Sequence, residues 1–154
     1  MGFQRAAIVK QKLGVEITTR SLPGLLLSNQ YASFNIVAHP GNCHSMYIYQ
    51  VISNEKTHLN KLIRKALQIA LVDEFAYVQV CLNNSELYGR IFKECGFKPL
   101  GKPYYNYRYL KMKERNSYIT ANPTNPNDTH WITTLIANVD EACEMLNITE
   151  DKVE

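Results

Sequence analysis

The sequence predicts an α/β domain followed by a C-terminal amphipathic helix on a linker, and three observations predict it. A strand–helix–strand succession runs from Met46 to Leu82, the arrangement that builds α/β layers. A short helical segment after Asn83-Asn84 leads through Cys95-Gly96-Phe97-Lys98 into a closing strand, Tyr104-Asn106-Arg108-Leu110-Met112. Finally, the polar run Asn122-Pro123-Thr124-Asn125-Pro126-Asn127 separates all of this from a last apolar stripe, because closely spaced prolines cannot hold regular structure.

Taken in order, Ala7-Ile8-Val9 reads as a short strand, followed by a turn or short helix. Leu25-Leu26-Leu27 and Ser33-Phe34-Asn35-Ile36-Val37 read as two strands joined through Asn29-Gln30. The segment His39-Pro40-Gly41-Asn42 is a loop, since Pro and Gly impose turn geometry. Met46 to Ile52 is an apolar strand. Beyond it, Leu59, Leu62, Ile63, Ala66, Leu67 and Ala70 recur at three- and four-residue steps and share one helix face. Lys61, Arg64, Lys65 and Gln68 fall on the other face, and Asn54 or Thr57 can cap the start. Val72-Asp73-Glu74 ends this helix before the strand Tyr77–Leu82. Tyr88 and Phe92 stand one turn apart as core anchors in the short helix. Gly96 stops that helix and Phe97 turns its ring inward at the next strand.

Residues 1–112 form one domain in this reading, 113–128 a polar linker and 129–154 a helix with an acidic tail. In the tail, Asp128 or Thr129 caps a helix whose stripe is Trp131, Leu135, Val139, Ala142 and Leu146. Such a helix is not stable alone in water. It docks either on its own domain or on another protein chain, with Trp131, Leu135, Val139 and Leu146 as the contact residues. A second copy or a larger assembly would supply that chain.

Composition bounds the function classes. A chain of 154 residues with 45% hydrophobic content can bury a sizeable core. No apolar run approaches the ~20 residues needed to span a bilayer. The N-terminal residues lack a signal-peptide core, and Met1-Gly2 lacks the Ser or Thr of a myristoylation signal. A soluble, cytoplasmic protein is expected, with no membrane partner. The four cysteines and four histidines have no ligand spacing, so no metal is expected, and the cysteines read as small buried thiols. Charge is lopsided: residues 1–112 hold 14 Lys and Arg against 6 Asp and Glu, and residues 113–154 hold 3 against 8. A basic body suits a phosphate-bearing ligand or nucleic acid. Tyr104 to Lys113, where tyrosines alternate with cations, is the candidate nucleic-acid contact, although a half-buried strand with an amphipathic face shows the same pattern.

The run from Met46 to Lys113 resembles the C-terminal half of the GNAT family of N-acetyltransferases. The resemblance implies a mixed, mostly antiparallel central sheet with flanking helices, abbreviated between its first strands. It also implies an acetyl-CoA site, in which Val51, Ile52, Lys56, Lys61 and Asn84 would hold the cofactor. The family's pyrophosphate loop has the pattern Arg/Gln-x-x-Gly-x-Gly/Ala, whose glycines let backbone N–H groups crowd round the phosphates. Here the stretch Ser53 to Lys61 has no glycine, which predicts weak or absent acetyl-CoA binding. The family's acid is a tyrosine four residues before the Gly of Gly-Phe. That position is Phe92, which has no proton to give, and Tyr88 one turn earlier is the substitute if the protein is active. Glu16, His44 and Glu55 are candidates for the base by position alone.

These departures lean towards a non-catalytic binding or structural protein with a degenerate acyl-CoA site and no cofactor. Gly41-Asn42-Cys43, the Lys-rich loop and the Asn-Asn-Ser to Ile-Phe-Lys-x-Cys-Gly run look similar to GNAT-like proteins of short-tailed bacteriophages, some of them virion components. The alternatives are an active acetyl-CoA-dependent N-acetyltransferase and a phage nucleic-acid-modifying relative.

Overall fold

The computed structural model describes residues 16–19, 24–38, 44–53, 56–83, 86–105 and 131–151. The strand read at Ala7–Val9, the linker Asn122–Asn127 and residues 106–112 of the closing strand lie outside them. Among the described residues one mixed sheet holds eight strands. These are β1 (Glu16–Thr19), β2 (Gly24–Ser28), β3 (Ala32–Ala38), β4 (Ser45–Ser53), β5 (Tyr77–Asn83), β6 (Lys98–Pro99), β7 (Tyr104–Tyr105) and β8 (Trp131–Asn138). Three helices accompany them: α1 (Lys56–Val72), α2 (Glu86–Glu94) and α3 (Val139–Leu146).

The sheet order is β1-β2-β3-β4-β5-β8-β6, and β7 also pairs with β8. Four strands, β1 to β4, form an antiparallel meander. Its β2–β3 turn is held by Asn29, whose Oδ1 accepts from the N–H groups of Tyr31 (3.0 Å) and Ala32 (2.9 Å), the local bonding that makes Asn a turn residue. Glu16–Thr19 is a strand where a turn or short helix is read from sequence. Four isolated residues show no period of their own, and pairing with β2 decides their state.

β4 and β5 are parallel, so they need a crossover, and α1 provides it. One sheet face packs on α1 through Leu27, Phe34, Ile36, Met46, Ile48, Val78 and Val80, all fully buried. Lys65 and Gln68, read as part of the solvent face of α1, are each 1% exposed. The C-terminal segment covers them. Lys65 Nζ donates to Gln68 Oε1 (2.8 Å), Gln68 Nε2 donates to the carbonyls of Thr149 (3.1 Å) and Glu150 (3.2 Å), and Arg64 Nη1 reaches the Leu146 carbonyl (3.4 Å).

The helix read from residue 129 is therefore corrected. Trp131 to Asn138 is a strand paired with β5 over seven residues, Tyr77↔Asn138 to Asn83↔Ile132. Ile132, Thr133, Thr134 and Ile136 are β-branched and favour a pleated, half-buried surface, while the helical spacing of Trp131, Leu135 and Val139 is fortuitous. The helix begins only at Val139. Asn138 is its N-cap, its side chain accepting from Glu141 N–H at 3.1 Å. Asn147 ends it in a left-handed conformation, with Ile148 N–H on the Cys143 carbonyl at 2.8 Å, a Schellman closure. Leu135 (1% exposed) and Val139 (0%) lie in this chain's own core, Leu146 packs against that core, and Trp131 is partly buried. Of the two placements read from the sequence, Leu135, Val139 and Leu146 take the one on their own domain. No described helix is long and apolar enough to cross a membrane.

Candidate functional site

β4 and β5 run together only briefly. Their register spans Ser45↔Tyr77 to Ile48↔Val80, although β4 continues to Ser53 and β5 to Asn83. Beyond Ile48 and Val80 the two strands part, opening a gap at their carboxyl ends. Ligands of open α/β sheets bind at such ends, where the facing edges of β4 and β5, no longer paired with each other, can receive an extended, amide-bearing ligand.

A bulge accompanies the parting. Ser33 faces Ile52 but Asn35 faces Tyr49, so β4 carries an extra residue. Gln50 takes up the irregularity at φ 55°, a left-handed conformation uncommon for a side-chain-bearing residue. Its Oε1 accepts from Asn35 Nδ2 at 2.8 Å. Asn35 is 6% exposed, so this bond satisfies a buried amide and fixes the bulge. Bulges re-aim strands next to functional sites.

The residues singled out from sequence fall unevenly around this gap. Val51 is partly buried against the core, and Ile52 is 62% exposed at the end of β4. Lys56 is the first residue of α1, and Lys61 is exposed one turn on. Asn84 and Glu55 lie outside the described residues. His44 sits at the opposite end of β4, its carbonyl accepting from Ala76 N–H (2.8 Å) and Tyr77 N–H (3.1 Å). Glu16 is in β1, three strands from β4.

Tyr88 reaches the gap. Its ring packs against the core, and its hydroxyl donates to the Ser53 carbonyl (3.2 Å) and accepts from Ser53 N–H (3.3 Å). The phenol thus ties α2 to the last residue of β4. Phe92, at the family's tyrosine position, is fully buried and meets Phe97 edge to face, with centroids 5.1 Å apart. The two residues close α2. Phe97 N–H bonds the Phe92 carbonyl at 3.1 Å, Gly96 N–H bonds the Lys93 carbonyl at 3.1 Å, and Gly96 has φ +91°. This is a Schellman motif with its apolar contact, so Phe92 is committed to the core, as its spacing predicts.

The face of the sheet opposite α1 was not singled out by its chemistry in the sequence. It carries Tyr47 and Tyr49 from β4, Cys81 from β5, Thr134 from β8 and Tyr104 from β7. Cys81 Sγ lies 3.4 Å from Thr134 Oγ1, and the Tyr104 hydroxyl donates towards Cys81 Sγ at 3.9 Å. Burial, then a hydrogen bond with Cys81, pushes the Tyr47 phenol well above the usual tyrosine range. Burial of part of its ring and the adjacent Cys81 raise Tyr104 as well. Cys81 is half-buried and not the enclosed thiol expected, whereas Cys95 and Cys143 are enclosed, and burial pushes them up to about 11 and about 12. Alternation along Tyr47-Ile48-Tyr49 is the signal that could have marked this face from sequence.

No family model and no curated protein matches the sequence. Solved structures do. An IAA acetyltransferase from Bacillus cereus superposes with a TM-score of 0.54 at 15% identity, covering 75% of this chain and 76% of its own. Mutant forms of the spermidine/spermine N-acetyltransferase SpeG from Vibrio cholerae give 0.56 at 10% identity, covering 79% and 67%. The fold is that of the GNAT acetyltransferases. The GNAT-like sheet, its parted β4 and β5, and the crossover helix α1 are therefore the frame in which this chain's own residues have to act.

Proposed function

We propose that this chain holds an acyl-CoA thioester in the gap between β4 and β5 and passes the acyl group to an amine. The end of the β4–β5 pairing at Ile48 and Val80 carries the reading, because two central strands that forgo their ladder leave backbone N–H and C=O groups for a partner to satisfy. The cofactor's extended, amide-bearing arm supplies the missing strand-like hydrogen bonds. At the start of α1 the helix dipole and Lys61 favour its phosphates, and Val51 and Ile52 line the β4 side. In the reaction the departing sulfur takes up a proton, and Tyr88 is the phenol at the mouth that gives it.

Tyr88→Phe tests that role with two readouts. Losing the bonds to Ser53 is expected to lower stability by about 1–2 kcal/mol in urea denaturation. Losing the acid is expected to cut kcat by ~10²–10⁴-fold, with CoA affinity retained. Unchanged kcat would place the proton donor elsewhere.

A second reading is favoured by the glycine-free stretch from Ser53 to Lys61 and by the burial of Phe92: the fold is kept as a binding component, virion-associated or otherwise, and the cofactor is lost. Titration calorimetry with CoA separates the two. A micromolar Kd supports the acyltransferase. Absence of heat, together with no rise in melting temperature at saturating acetyl-CoA, sinks it and leaves the binding role, since a ligand at 100 times its Kd adds about 2.7 kcal/mol.

A further inference from the structure

Where β4 and β5 part, the face opposite α1 is lined with phenols. Tyr47 and Tyr49 flank Ile48, the last β4 residue paired with β5, and their rings lie 20° from parallel with centroids 6.5 Å apart. The Tyr104 hydroxyl joins them through Cys81. Tyr77 and Gln79 continue the face along β5, and Ile136 and Lys98 continue it across β8 and β6. Among the described residues of β3 to β8 this face presents no carboxylate, and its charged side chain is that of Lys98.

Such a face is poorly made for an amine that arrives protonated. An alkylammonium ion must surrender a proton to a base before its nitrogen can attack a carbonyl, and a lysine at the rim repels it. Tyr47 and Tyr104 are both raised, so they stay protonated at neutral pH and do not serve as that base. An aromatic amine is different: it is neutral near pH 7, its lone pair is free, and its ring gains from stacking on tyrosine.

Resting on the acyltransferase reading, we propose that the acceptor is a neutral arylamine seated against Tyr47, Tyr49 and Tyr104 where β4 and β5 part. Its nitrogen attacks the thioester carbonyl. An N–C bond forms, the C–S bond breaks with its electron pair on the CoA sulfur, Tyr88 protonates that sulfur, and the proton shed by the nitrogen restores the Tyr88 phenol. Phenolic faces select the acceptor by shape and charge, and the acyl donor stays in the gap between the strands.

The experiment compares aniline with spermidine as acceptors of the acetyl group from acetyl-CoA at pH 7, following CoA release by the full chain. CoA affinity is measured separately by calorimetry. The expected result is a higher kcat/KM for aniline. Tyr49→Ala is expected to raise the KM for aniline roughly 3- to 10-fold, and Tyr49→Phe, which keeps the ring, to leave it unchanged. Both variants should retain CoA affinity. A protein that binds CoA but prefers spermidine, acetylates neither amine, or ignores Tyr49→Ala overturns the arylamine assignment and leaves the cofactor site standing. A protein that does not bind CoA overturns both.

Discussion

A chain ended at Met112 is expected not to fold, and the circular dichroism and amide dispersion of such a truncation should be those of a denatured chain. Sequence patterning alone suggests the reverse, that residues 1–112 form a self-sufficient domain. The structure puts β8 beside β5 for seven residues and gives β6 and β7 their partner. Removing it strips the hydrogen-bond ladder from one side of a central strand. It also takes Leu135, Ala137, Val139, Ala142, Cys143 and Ile148 out of the core. Removal of a single buried leucine side chain to Ala costs about 2–5 kcal/mol, and a whole domain holds only about 5–15 kcal/mol. The loss therefore exceeds what a domain of this size has to spare. A cooperative, native-like unfolding transition in the truncated chain would show that the C-terminal segment is dispensable.

Phe92→Ala is expected to lower the stability of the full chain by about 3–5 kcal/mol, seen as a fall in the urea midpoint at unchanged slope. The ring is fully buried, packs edge to face on Phe97, and forms the apolar half of the motif that ends α2. Truncation leaves a cavity at the junction of α2 with the sheet and loosens the turn at Gly96, whose own space is bounded by Ala142 Cβ 3.1 Å from where a Cβ would sit. Phe92→Tyr should also destabilise, because the added hydroxyl enters an apolar site. It should not raise turnover, since the ring faces the core. A gain of activity in Phe92→Tyr would mean that α2 turns this position towards the gap.

Much of the fold was legible because local pattern and tertiary environment agree. The apolar steps from Leu59 to Ala70 could only be a helix with one buried face. Met46 to Ile52 and Tyr77 to Leu82 had the length and side-chain types of core strands. The turn at Asn29 and the stop at Gly96 follow from the conformations those residues tolerate. In each case the signal lies within a few residues of itself.

What sequence left undetermined has a common physical cause: it depends on neighbours distant along the chain. Trp131 to Asn138 fits a helical stripe and a strand alternation about equally, and only the open edge of β5 resolves the choice. Lys65 and Gln68 look like solvent residues until Thr149 and Glu150 are folded over them. The gap between β4 and β5 has no residue signature, because it is a hydrogen-bond ladder left unmade between strands some thirty positions apart. Nor does the phenol face, since Tyr47, Cys81, Tyr104 and Thr134 come from four strands that meet only in the sheet. The sequence by itself determined α1 and α2, the strands β4 and β5, and the absence of a glycine-rich phosphate loop. Tertiary structure decided which surfaces are free, because burial and strand pairing are properties of contacts made across the whole chain.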